Sequence, residues 1–212
     1  KYMSDVIYEE RYQDIRPCYY LGLLMNLFLS SLLGIPFCLW EHFVGKVDVF
    51  YVFTGYCGYI ALVLVFYSMI YLSIAKAYQK ISLFYTIGMV WAFWASLFLR
   101  FVLKWGIRES MMFALMTGLF LIAFLEIAVV KRYFVYNSNR YSSVLRYFKK
   151  YWQLVAANFA YILGLYIHNF VFWTQDMRLV LVKTFVCNQP YDMATCLAMF
   201  SNISMTIIFI TR

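Results

Sequence analysis

Six long apolar runs, separated by short polar stretches, set the pattern of this chain. They are Cys18–Trp40, Val49–Ala75, Ile81–Leu103, Met111–Val130, Trp152–Trp173 and Met193–Ile210. A helix needs about 20 mainly apolar residues to cross the hydrocarbon core of a bilayer. Every run meets or nearly meets that length. None alternates as the strands of a membrane barrel do. In lipid each backbone group must be bonded within its own helix, so the pattern predicts an all-α polytopic transmembrane bundle of six spans and no sheet. The first residues, Lys1 to Pro17, are polar and of mixed charge, and predict a short water-exposed helix or loop closed by Pro17. The chain starts at Lys1 and stops at Arg212 just after an apolar run, which reads as a piece of a longer membrane protein.

Polar residues inside the runs carry the rest of the pattern. Asn26, Ser30 and Gly34 recur every four residues in the first run, and Pro36 follows, predicting a small polar stripe and a kink. Gly88, Ala92 and Ser96 repeat that spacing in the third run, and small residues so spaced let helices approach closely. Arg100 continues the line: it either faces the bundle interior or snorkels to the surface. Glu126 lies one turn from the end of the fourth run, with Lys131 and Arg132 just beyond. It is either an interfacial carboxylate beside those cations or a site for a proton or coupling cation. In the fifth run Asn158 and Asn169 are eleven residues apart and share a face, with Tyr161 and His168 near it. Asn202 and Thr206 extend a similar polar line in the sixth. One buried Asn is often glue between helices; several on one face predict a wet path. Asp192 is placed to cap the sixth helix, and the apolar stretch Leu179–Val186 before it predicts a short interfacial segment.

Charge gives the direction. Lys131, Arg132, Arg140, Arg146, Lys149 and Lys150 cluster between the fourth and fifth runs. With both chain ends cytoplasmic, this cluster joins Arg11, Arg16, Lys76 and Lys80 on the inside, and only Lys46, Lys104, Arg108, Arg178 and Lys183 fall outside. Tyr141, Val144, Leu145 and Phe148 recur at helical spacing among those cations. They predict an amphipathic helix on the membrane surface, with Arg146, Lys149 and Lys150 toward anionic lipid or a cytoplasmic protein.

Composition narrows the function. The 212 residues are 65% hydrophobic and 22% aromatic, with a net charge of +8. Mean hydropathy is +0.72, far above a soluble domain. The cations sit between apolar runs and line no single face, so nucleic acid is not an expected partner. The five cysteines form no CxxC, and nothing requires a Cys187–Cys196 disulfide. No P-loop, HExxH or nucleophile-elbow pattern occurs, so passage is expected rather than chemistry, and no cofactor or metal.

Three segments carry a resemblance. Lys1–Pro17 (KYMSDVIYEERYQDIRP), Tyr161–Trp173 (YILGLYIHNFVFW) and Tyr191–Arg212 (YDMATCLAMFSNISMTIIFITR) resemble, in order and spacing, segments of the PelG family of Pel exopolysaccharide transporters. Two positions depart from that pattern. His168-Asn169 stands where an Asp-Lys pair is common, and no Pro follows Met199-Phe200.

The resemblance implies a fold of the multidrug/oligosaccharidyl-lipid/polysaccharide exporter type, two helical lobes around a cavity that opens alternately to each side. The chain would hold about helices three to eight of roughly twelve. Residues 1–130 would belong to the first lobe, 131–151 would be the basic connector, and 152–212 would start the second. The resemblance also implies the bacterial inner membrane, an exopolysaccharide chain as cargo, and a partnership with a cytoplasmic glycosyltransferase and other membrane subunits. Tyrosine and tryptophan faces suit sugar rings, while amides and hydroxyls suit sugar hydroxyls. The alternative is a non-transporting membrane scaffold that anchors a polysaccharide synthase through the basic connector. A membrane glycosyltransferase is less expected, since no paired carboxylates lie at the cytoplasmic face.

Overall fold

The structure is a computed structural model, and it describes residues 5–6, 8–134, 138, 141–175, 178–180 and 184–198. Its long helices are α1 (Ile15–Phe43), α2 (Val49–Ile74), α3 (Tyr78–Phe101), α4 (Ile107–Tyr133) and α6 (Trp152–Trp173), with the shorter α5 (Tyr141–Lys150) between the last two. A further helix, α7, covers residues 189–198. Among the described residues, five helices are long and apolar enough to cross a membrane. The sixth expected span lies largely in residues 199–212, outside the described residues.

The chain forms two compact units. The first is Lys1–Phe43 with Val47–Lys150, and the second is Val44–Lys46 with Tyr151–Arg212. The first unit is built inside out relative to a soluble bundle. Its helices turn large apolar side chains outward: Phe93, Trp94 and Phe124 are among the most exposed. They bury small or polar ones, including Ser30, Thr54, Ala61, Ser68, Ser110, Ala114 and Glu126. Lipid solvates an apolar side chain as well as another helix does, so contacts between helices favour small residues.

α4 is the centre of this unit. It packs along both α2 and α3, which scarcely touch each other. Its buried residues Ser110, Ala114, Gly118, Ile122, Glu126 and Val130 fall every four positions and form one seam. The predicted small stripe on α3 meets this seam. A Cβ on Gly118 would lie 2.7 Å from the Gly88 carbonyl and 2.9 Å from the Ala92 Cβ, so the two backbones are in contact there. The α1 stripe also faces a neighbour: a Cβ on Gly34 would meet the Tyr56 ring at 3.0 Å. α1 runs through Pro36 as one helix.

The turns between these helices are short and share a device. Lys46, Lys76 and Lys104 adopt φ of 56°, 54° and 55°. At Lys76 the helix closes with Lys76 N–H donating to Ser73 O (3.0 Å) and Ala77 N–H to Leu72 O (3.0 Å), a Schellman end. A lysine there takes on left-handed strain but puts its ammonium near the free carbonyls of a helix C-terminus.

Three expectations need correction. The amino-terminal segment is not simply water-exposed: Val6 is fully buried with Ile15, Tyr19, Tyr71, Leu72 and Val130. α1 starts at Ile15, and Pro17 lies in its first turn, where a missing N–H costs nothing. The described residues also hold a small sheet. β1 (Leu179–Val180) pairs antiparallel with β2 (Val186–Cys187), Leu179 opposite Cys187 and Val180 opposite Val186. This strand pair falls in the segment after α6, where the two strands can satisfy each other's backbone groups.

Replacing Gly118 by Ile should lower stability by about 1–3 kcal/mol, the usual penalty for overpacking. Gly58, with nothing within 4 Å of its Cβ position, should accept Ala with a change inside about 1 kcal/mol. Thermal unfolding of both purified variants in detergent measures this. Equal losses would mean that the α3–α4 approach is not tight.

Candidate functional site

Two polar regions stand out, one in each unit. In the first unit a chain of hydroxyls ties α1 to α2. The Tyr67 hydroxyl donates to the Tyr19 backbone carbonyl (3.0 Å). It therefore accepts from the Tyr71 hydroxyl, 2.9 Å away. Tyr71 in turn lies 3.7 Å from the Cys18 thiol. The Tyr19 hydroxyl bonds to Ser68 Oγ at 2.9 Å. Gly22 makes this possible, since a Cβ there would sit 2.1 Å from the Tyr67 hydroxyl. Tyr67 and Tyr71 are one turn apart, so they project from one face of α2. Their rings crowd Tyr19, which stacks on Tyr67 at 5.6 Å and meets Tyr71 edge-on at 4.8 Å.

Glu126 lies on the α4 seam. It is fully buried, and among the described residues neither carboxylate oxygen has a hydrogen-bond partner. Tyr19 of α1 and Tyr85 of α3 lie within electrostatic range of it. It does not pair with Lys131 or Arg132, whose side chains are exposed. The helix turns Glu126 to the seam while the two cations face outward. The other carboxylate of α4, Glu109, is treated differently: it accepts a hydrogen bond from Tyr51 of α2. Asn26 is half-buried on the α1 stripe. Arg100 is exposed, and its guanidinium donates to the Trp105 carbonyl in the next turn (2.8 Å). It lies at the C-terminal end of α3, bonded to the loop that follows, and does not continue Gly88 and Ala92 into the seam.

The basic helix α5 belongs to the first unit and packs on α1. It buries Val144, and Tyr147 donates to Asp5 at 2.5 Å. Leu145 stays half exposed, and Arg146, Lys149 and Lys150 are exposed.

In the second unit α6 buries none of its residues. Asn158 and Tyr161 are exposed; His168 and Asn169 are half-buried. The His168 ring meets Tyr191 of α7 edge-on at 5.6 Å, and Phe172 stacks on Tyr191 at 3.8 Å. Asn169 Oδ1 is buried without a partner among the described residues. α7 starts earlier than expected. Asp192 reaches back to accept from the Asn188 N–H (3.0 Å) and from Trp173 Nε1 (3.1 Å), which pins the helix start to the end of α6. Asn202 and Thr206 lie outside the described residues. All five cysteines are free.

The whole chain, residues 1–212, matches a family model described as PelG: Putative exopolysaccharide Exporter (EPS-E). The chain belongs to the PelG family. No curated protein and no solved structure matches it. The family is one of exporters rather than enzymes, and the apolar helices agree with a membrane protein.

The tyrosine chain was the part that sequence spacing missed. Its signal was present as Tyr67 and Tyr71 one turn apart in an apolar run, with Gly22 on another. Tyr67→Phe should cost about 0.6 kcal/mol, a typical intramembrane hydrogen bond. Gly22→Ala should cost more, because its methyl group would displace the hydroxyl. The test is thermal unfolding of both variants; a Tyr67→Phe protein more stable than the parent would show that the bonds contribute nothing.

Proposed function

We propose that this PelG-family chain is part of a bacterial inner-membrane exporter that passes an exopolysaccharide chain by alternating access, with its basic connector at the cytoplasmic face. The observation that carries the reading is the surface of α6. This helix has the length and hydropathy of a span, yet it exposes Asn158 and Tyr161, leaves His168 and Asn169 half-buried, and buries no residue. Polar groups facing lipid are costly, whereas in a wet cavity water or sugar hydroxyls bond them. The same face offers Tyr161 as a platform for a sugar ring. Sugar transfer needs no metal or nucleophile from this chain, because an exporter supplies a path and a change of access.

The exposed cations of α5 support a second role within the same reading. Arg146, Lys149 and Lys150 suit anionic lipid headgroups and a cytoplasmic glycosyltransferase that delivers the polymer. They would also suit a scaffold without transport.

Topology and path are tested together in cells that secrete the polymer. Cys187 should react with an impermeant thiol reagent added outside, and a cysteine placed at Ser142 should not; the reverse pattern would invert the orientation. The Asn158→Ala/Asn169→Ala double variant should keep its unfolding temperature while polymer secretion falls severalfold. Secretion falling only in step with stability would assign both residues to packing.

A further inference from the structure

We propose that Glu126 is a buried proton-binding site, and that the proton it holds is exchanged when the helices around α4 part. Three observations carry this. Glu126 is inaccessible to solvent, and among the described residues both of its oxygens lack partners. It interrupts the apolar seam of α4, between Ile122 and Val130, where the two buried clusters of the unit adjoin. The groups that come near it are hydroxyls rather than cations. α1 brings Tyr19, whose hydroxyl bonds to Ser68 of α2, and α3 brings Tyr85, whose hydroxyl has, among the described residues, the weak Met69 thioether as partner (3.5 Å). The cations on these helices are engaged elsewhere. Arg16 lies over the Tyr20 ring at 5.8 Å, and Lys80 donates to the Tyr133 hydroxyl at 3.0 Å. Lys76, Lys131 and Arg132 are exposed.

An ionised carboxylate with no partner is not tolerated in such a place, so the group binds a proton and becomes neutral. The chemistry is a single O–H bond made and broken. When α1 or α3 moves away from α4, water enters, the carboxyl releases its proton to that water, and the charged form is solvated. When the helices close, the carboxylate must first take a proton back. A metal ion fits less well. It would need a shell of about six oxygens, and among the described residues no three acidic, His or Cys side chains lie together. The Tyr19 and Ser68 hydroxyls are already bonded to each other. Two openings that face opposite sides of the membrane would make this proton the coupling ion. That role rests on the exporter reading; the proton site itself does not.

The experiment uses the full-length protein in lipid nanodiscs at neutral pH. Infrared spectroscopy should show a protonated-carboxyl band in the parent that Glu126→Gln removes and Glu109→Gln leaves in place. The Glu126→Gln protein should melt at the parent's temperature, with no response of either to sodium, while polymer secretion falls at least tenfold. If Glu126→Gln does not accumulate, Glu126→Asp serves instead, shifting the band rather than deleting it. A band unchanged in both variants overturns the proton site. So does sodium that raises the melting temperature of the parent but not of Glu126→Gln. Parental secretion by a folded Glu126→Gln protein overturns the coupling role. Secretion that never depended on this protein would remove the exporter reading and leave the infrared result standing.

Discussion

Hydrocarbon offers no hydrogen bonds, and this one constraint arranges the first unit. Polar side chains on its helices meet each other or a helix backbone, Glu126 being an exception. Apolar ones gain nothing by meeting and are left to the lipid. The tightest consequence is the contact of Gly88 with Gly118. With no side chains between them, α3 and α4 touch backbone to backbone, and dispersion over that surface replaces the hydrophobic drive that lipid removes. α4 then serves as the post against which α2 and α3 stand. Its seam of small residues continues inward to Glu126. α1 is attached in a second way, by the hydroxyls of Tyr19, Tyr67 and Tyr71, because its own stripe of Gly22, Asn26, Ser30 and Gly34 leaves room for tyrosines rather than for another backbone.

Much of this was legible in the sequence. Length and apolar content located five helices, because those properties depend only on local residues and the bilayer thickness. The four-residue spacing of Gly88 and Ala92 named the contact face of α3. Spacing alone could not say where that face ends. Arg100 continues the line by position, yet its long side chain reaches the Trp105 carbonyl and leaves the seam. The first seventeen residues misled for a different reason. Their charge is real, but Val6 finds burial against helices far along the chain and Asp14 is met by Ser138, which no local pattern records. Glu126 was visible as an anomaly. Its proximity to Lys131 and Arg132 in sequence pointed to an ion pair, while helical rotation sends the two sides apart. The strand pair of β1 and β2 was missed because two-residue strands leave almost no periodic signal.

The two polar regions divide the work of an exporter in the reading proposed above. The α6 face meets the polymer with amides and an aromatic ring, groups that bond sugars weakly and repeatedly and so allow sliding. The centre around Glu126 holds a group whose charge state depends on whether the helices are apart. Neither arrangement resembles a catalytic centre, and both follow from where the fold leaves polar atoms without a partner.

The central claim, that α6 faces the polymer while the first unit's outer surface faces lipid, is tested most directly by photocrosslinking in cells that are secreting. A photoreactive phenylalanine analogue placed at Tyr161, which is 69% exposed, should capture polysaccharide. The same analogue at Phe124, which is 70% exposed on α4, should capture lipid alone. Lipid alone at both positions would contradict the account.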